Sequence, residues 1–202
     1  MLTINKKEDI IIPFNNIGDP QWETNTRLIL EAIAKRWNER MKKPISLQEI
    51  SKLETRLGTS LPENLKLFYQ TFGTANIGEQ LQELNEIEWL KNILYNELRI
   101  SRDFAEKEKE VLPYLVTFSN YLGNGNMFCF HCDTKEIYYF GHDGVPYIFK
   151  MLKTVDEYIQ GCLIFAQSDL FGENINQEQA HTWTEELISQ IFGKEVSEKW
   201  RF

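Results

Sequence analysis

YLGNGNMFCFHCDTKEIYYFGHDG, residues 121–144, decides the fold. Asn124-Gly125 and Asp143-Gly144 can supply the positive-φ residues that tight turns need. Between them lie two short aromatic stretches, Met127 to Cys132 and Ile137 to Phe140, joined by the polar break Asp133-Thr134-Lys135-Glu136. That pattern predicts a β-hairpin. Working outward, Tyr114 to Ser119 reads as the strand before the hairpin and Val145 to Phe149 as the strand after it. Four consecutive antiparallel strands are therefore expected.

The flanks read as helices. Asp9 to Phe14 looks like a short first strand closed by Pro13 and the turn that follows. Asp19-Pro20 then opens a helix, Asp as its cap and Pro in its first turn. Leu30, Ile33, Ala34, Trp37 and Met41 make one stripe, so a helix over Thr26–Met41 is expected, with its cations at the C-terminal end. Ser46-Leu-Gln-Glu49 is a capping box for a helix Leu47–Leu57 that stops at Gly58. Leu61-Pro62 starts a third helix, Pro62–Phe72, ended by Gly73. These three helices are expected on one face of the sheet. Residues 92–110 are mixed, and the run Glu106-Lys-Glu-Lys-Glu110 reads as a solvated face. Thr154-Val-Asp-Glu157 caps a helix that buries Val155, Tyr158, Ile159, Cys162 and Phe165. A last helix, about Gln177 to Phe192, is expected to face inward through Trp183, Leu187 and Ile191. The 202 residues read as a single α+β domain, with a core at about 45–166, an N-terminal extension over 1–44 and a C-terminal helical extension over 167–202.

Formal net charge is −8 and is unevenly placed: residues 1–100 carry 13 Lys+Arg against 14 Asp+Glu, and residues 101–202 carry 9 against 16. Seven acids and no Lys or Arg lie between Thr154 and Gly193. Such a surface repels nucleic acid and attracts a basic partner. The N-terminal apolar run, Ile10 to Ile12, is too short for a signal segment or a membrane span. With three cysteines, which cannot all pair within one chain, this predicts a cytoplasmic protein.

Little in the chain asks for catalysis or a metal. Cys129-Phe-His-Cys132 has metal-ligand spacing, but a strand sends residues three apart to opposite faces. Cys129, Cys132 and Cys162 are expected to be reduced, mostly buried and without metal. His131 shares a strand face with Cys129 at a spacing too long for a hydrogen bond. His142 beside Asp143 suits turn stabilisation better than acid–base work. No cofactor loop or nucleophile motif is present, so no cofactor and no enzyme activity are expected.

The order of these pieces resembles the SUKH superfamily, the group of the yeast Smi–Knr cell-wall synthesis regulator and many bacterial immunity proteins. The resemblance runs through Ile45 to Glu54, Leu57-Gly58, Leu61-Pro62-Glu63, the helix Leu65 to Phe72 with Gly73, Gly123-Asn-Gly-Asn126, Phe128-Cys-Phe, Asp133, Ile137-Tyr138, His142-Asp143 and the helix Thr154 to Phe165. It departs where the family's usual Asn before the helix-ending glycine is Phe72. The resemblance implies an α+β fold with a largely antiparallel sheet, no shared catalytic residues and, for many bacterial members, neutralisation of a cognate toxin, often a nuclease. The expected function is a non-enzymatic, immunity-type binding protein against a basic toxin. The alternatives are a cytoplasmic regulatory scaffold and a hydrolase built on His142. The partner surface is expected to draw on Asp133, Glu136, Asp143, Asp156 and Glu157, with Tyr138 or Tyr147 as anchors.

Overall fold

The computed structural model describes residues 2–96, 104–120 and 125–200. In chain order the regular elements are α1 (Trp22–Arg36), α2 (Leu47–Leu57), α3 (Glu63–Phe72), β1 (Gln80–Leu81), α4 (Leu90–Asn96), α5 (Glu106–Val111), β2 (Leu115–Asn120), β3 (Met127–His131), β4 (Ile137–Phe140), β5 (Ile148–Leu152), α6 (Val155–Ala166), α7 (Gln177–Phe192) and α8 (Lys194–Lys199). Short 3-10 turns occur at Lys7–Asp9, Leu112–Tyr114 and Gln167–Leu170. The chain forms two compact units, one over 44–74 and 79–155, the other over 1–43, 75–78 and 156–202.

The first unit holds the sheet. Its order is β1-β2-β3-β4-β5, every neighbour antiparallel. The α+β class and the central hairpin are as expected. Gly123 and Asn124 lie outside the described residues; Gly125 has φ 93°. Two strands shift. β2 starts one residue later than expected, because Leu112–Tyr114 is wound as a 3-10 turn. β5 starts at Ile148, three residues later than expected: Pro146 has no N–H to give a ladder, and Val145 is 85% exposed. The fifth strand, β1, covers the outer edge of β2 with the segment behind it: Gln82 N donates to Phe118 O, and Thr117 N to Glu88 O.

Strand alternation then sorts side chains. Cys129, Phe140 and Ile148 lie on one face, where Leu90 and Leu94 of α4, Phe104, Leu112 and Leu115 close a core over them. Phe128 and Phe130 point the other way and are fully buried. The α2–α3 hairpin forms as its caps dictate. Ser46 and Glu49 complete the capping box, and Gly58 takes the left-handed conformation, φ 70°, that a side chain would strain. Ile50, Leu53, Leu57, Leu65, Phe68, Tyr69 and Phe72 are its buried positions.

The charge run at 106–110 is not wholly solvated. Glu108 is 5% exposed and accepts two main-chain hydrogen bonds, from Ala105 N (2.6 Å) and from Ile148 N (2.9 Å). One carboxylate thus caps α5 and satisfies the first amide of β5.

The second unit corrects three expectations. Asp9 ends a 3-10 turn, and residues 10–14 form no strand. Ile11 exchanges both main-chain hydrogen bonds with the Gln167 side chain, 2.8 Å each, and Phe14 O accepts from Gln160 Nε2. Side-chain amides do the work of a neighbouring strand, which satisfies the backbone without a ladder. Helix α1 stops at Arg36 rather than Met41. Asn38 is left-handed, φ 56°, Asn38 N donates to Lys35 O and Glu39 N to Ala34 O, the pairing of a Schellman cap. Regular winding begins at Trp22, because Asp19 closes the preceding turn through Asn16 N. Helix α7 has the expected bounds, but its buried residues are Ala180, Thr184 and Ile188, one position round from the expected stripe; Ile191 is exposed. The last turn of chain explains the rotation. Trp200 is buried, stacked on Tyr158 (6.1 Å, 8°) and packed edge-on to Phe165 and against Phe192.

Two substitutions check this packing. Glu108→Ala leaves two amides without their acceptor and is expected to cost roughly 2–4 kcal/mol, which lowers the thermal midpoint by about 5–10 °C; Glu108→Gln is expected to recover part of it. At Gly161 an added Cβ would run into the Trp200 ring. Gly161→Ala is expected to destabilise by roughly 1–3 kcal/mol despite its better helix propensity, read by denaturant unfolding.

Candidate protein-interaction surface

The β3–β4 turn builds the richest surface among the described residues. Lys135 N donates to His131 O and His131 N to Glu136 O, closing a four-residue connection over 132–135. Lys135 sits at φ 61°, a strained position for a non-glycine residue. Its ammonium bonds Ser60 O (2.6 Å) and Cys132 O (2.5 Å), and lies 5.5 Å from the Phe130 ring centre. The turn is thereby tied to the α2–α3 link. Burial pushes the Lys135 ammonium below its ordinary pKa.

Three rings line up beside this turn. Tyr114 stacks on His131 at 5.2 Å and 12°, and His131 meets Tyr138 at 6.1 Å and 38°. Cys132 N donates to Tyr114 O at 2.8 Å, so the row is registered through the backbone. The imidazole is oriented too. His131 Nδ1 accepts from Asp133 N (3.2 Å) and Thr134 N (3.3 Å), which places the ring N–H on Nε2. Tyr138 packs its ring against the Leu90–Ile148 core, and burial pushes its phenol up. Opposite it on β5 stands Lys150, whose ammonium is paired with Glu136. That hydrogen bond holds the Glu136 carboxyl below the usual range.

The expected partner residues therefore divide. Asp133, Glu136 and Tyr138 come together at the turn, Asp133 exposed. Asp143 and Tyr147 lie at the other end of β4. Asp143 is exposed; Tyr147 is half-buried, edge-on to Phe104 at 5.8 Å. Asp156 and Glu157 belong to the first turn of α6 in the other unit. Asp156 is 7% exposed, so its carboxylate is not presented at the surface, and Glu157 is half-buried. Acids in a first helical turn suit the helix dipole. Tyr114, His131 and Lys150 were missed as surface residues. The signal was present: a hairpin with this turn puts His131 and Tyr138 on one face.

The chemistry of the remaining groups is local. His131, Cys132 and Asp133 offer a ring nitrogen, a thiol and a carboxylate within 4.8 Å of one another. Each already has a hydrogen bond: Nδ1 from two amides, and the thiol to Asp133 Oδ1 at 3.5 Å. Cys129 is inside the core, its thiol pushed far up by burial. His142 Nδ1 lies 2.7 Å from Asn126 Oδ1, which also accepts His142 N–H, and Nε2 lies 2.9 Å from Asp143. Both neighbours of the ring are acceptors, so a neutral imidazole donates to one of them at a time; the His142 amide bond to Asn126 ties the residue into the loop. No helix among the described residues is long and apolar enough to cross a membrane.

The model of the SMI1 / KNR4 family (SUKH-1) matches residues 44–161, more than half of the chain. The chain belongs to that family. The match takes in the whole sheet, α2 to α5 and the first half of α6. No curated protein matches the chain.

The cysteines supply a direct check. Cys129 and Cys162 are buried, Cys132 is half-buried, and burial together with Asp133 raises the Cys132 thiol. Native protein at pH 8 is expected to release one equivalent of thionitrobenzoate slowly from a disulfide reagent, and three after denaturation.

Proposed function

We propose that this SMI1/KNR4-family protein is a non-enzymatic, cytoplasmic binding protein of the immunity type, which masks a basic toxin domain. The observation that carries this reading is the β3–β4 turn: aromatic rings held in register, with carboxylates beside them, on a rigid sheet. Aromatic anchors supply contact area at low entropic cost, and local charge steers and orients a basic partner. Family membership and the net charge of −8 support the same direction. A nuclease toxin is the expected target class, because its substrate-binding surface is basic. The regulatory-scaffold reading draws on the family's other namesakes and would use the same surface for a different protein.

The test uses the C-terminal domain of a secreted toxin encoded beside this chain. Co-expression is expected to restore growth to cells producing that domain. Reversal of Asp133, Glu136 and Asp143 to Lys is expected to slow association roughly tenfold at low salt, with the difference collapsing near 0.5 M salt. An unchanged on-rate and salt dependence means that another surface is used; no rescue and no binding by the unaltered protein defeats the immunity reading.

A further inference from the structure

We infer that the β3–β4 turn is a proton-sensitive latch, held while the His131 imidazole is neutral and opened when that ring takes up a proton. The latch belongs to the turn itself, whatever partner uses the surface beside it.

The geometry at one nitrogen carries the inference. His131 Nδ1 accepts from two main-chain amides, Asp133 N at 3.2 Å and Thr134 N at 3.3 Å. An imidazole nitrogen accepts only while it carries no proton; in the imidazolium both ring nitrogens are donors. Protonation therefore sets two amide N–H groups against a third N–H. Turning the ring over is no remedy, since that puts a C–H where the acceptor was. The two amides lie inside the four-residue connection that Lys135 N closes on His131 O. The ring is held on its faces as well, stacked on Tyr114 at 5.2 Å and set against Tyr138 at 6.1 Å. Gripped in this way, it presents the same edge to the turn in both protonation states. Histidine is the side chain that ordinarily changes charge between about pH 5 and pH 8.

The charges around the ring offset one another in pairs. An Asp133 oxygen lies within 4.8 Å of a ring nitrogen and favours a charged ring, but the Lys135 ammonium is near enough to feel Asp133 and opposes it. Glu136 acts on the ring in the same sense as Asp133, and is paired with Lys150. The other titratable groups beside the ring among the described residues are the Cys132 thiol and the Tyr114 and Tyr138 phenols, which carry no charge in the range where histidine titrates. With the carboxylates and ammoniums offset, the two amide bonds set the sign. They stabilise only the neutral ring. Their contribution is present above the range in which the ring titrates and is lost as pH falls through it.

The test follows the full chain, labelled with nitrogen-15, by NMR between about pH 8 and pH 5.5, above the range in which exposed carboxylates take up protons. The ring nitrogens of His131 report its protonation, and exchange with water reports the protection of each amide. At the upper pH the ring is expected to carry its proton on Nε2. At the lower pH the protection of the Asp133 and Thr134 amides is expected to fall roughly tenfold, in step with the ring. The amides of Phe128 and Tyr139, paired across β3 and β4, are expected to keep theirs. His131→Asn puts a non-titrating oxygen in the place of Nδ1 and is expected to hold both amides equally at the two pH values. His131→Phe keeps a ring without an acceptor and is expected to leave them unprotected at both. Thermal midpoints establish that each variant is folded. The inference is overturned by a ring that titrates without change at the two amides, by a ring still neutral at the lower pH, or by a proton found on Nδ1 at the upper one. It is equally overturned if His131→Asn keeps the pH response, or if Phe128 and Tyr139 lose protection together with the turn.

Discussion

The register of the β3–β4 hairpin is the constraint on which the sheet depends. A strand has a side-chain period of two, so a slip of one residue would send Phe128 and Phe130 to the face that holds Cys129, and His131 away from Tyr114. The turn over 132–135 prevents that slip. Lys135 accepts a left-handed backbone and brings its N–H to His131 O, and its ammonium is anchored on Ser60 and Cys132 carbonyls. Both consequences follow from that one closure: an apolar core on the Cys129 face of the sheet, and a row of rings at the turn end of the same face.

What was legible in the sequence was whatever local chemistry alone decides. The capping box at Ser46–Glu49, the glycine stops at Gly58 and Gly73, the hairpin and the bounds of α7 all rest on residues within a few positions of one another. Three of the errors share a cause in distant partners. Asp9 to Phe14 has the composition of a strand, but its hydrogen-bond partners are Gln160 and Gln167, about 150 residues on. Glu108 sits in a run that alternates acid and base, and nothing nearby says that one of those acids will meet Ile148. The buried side of α7 was misjudged because Trp200 lies beyond the helix that it helps to orient. One miss was avoidable: Asn38 follows a helical stripe at a place where asparagine commonly ends helices.

The candidate surface was half legible for the same reason. Asp133, Glu136 and Tyr138 are close in sequence and close in space. Tyr114 reaches the row only through the backbone bond between its carbonyl and Cys132, and Lys150 only through the pairing of β4 with β5. Asp156 shows the opposite error. Charge count ranks it with the other acids, yet burial in the first turn of α6 removes it from the surface. An inventory of acids measures what a chain carries, whereas burial and pairing decide what it presents.

That distinction bears on how an acidic protein of this kind selects a partner. At physiological ionic strength charges are screened over about 8 Å. The four residues of β4 span roughly 10–13 Å at strand rise, so the two ends of this one strand already act on a partner almost independently. The excess of acids in the second half of the chain can therefore raise the encounter rate with any basic surface, but it cannot tell one basic surface from another. Discrimination has to come from groups fixed to each other at contact distance, whose loss of freedom was met during folding rather than on binding. Within the described residues that condition is met best at the β3–β4 turn, where a backbone bond, two amide-to-imidazole bonds and a stacked pair hold the Tyr114 and His131 rings in place. In the binding reading proposed above, steering is assigned to the whole chain and recognition to the turn.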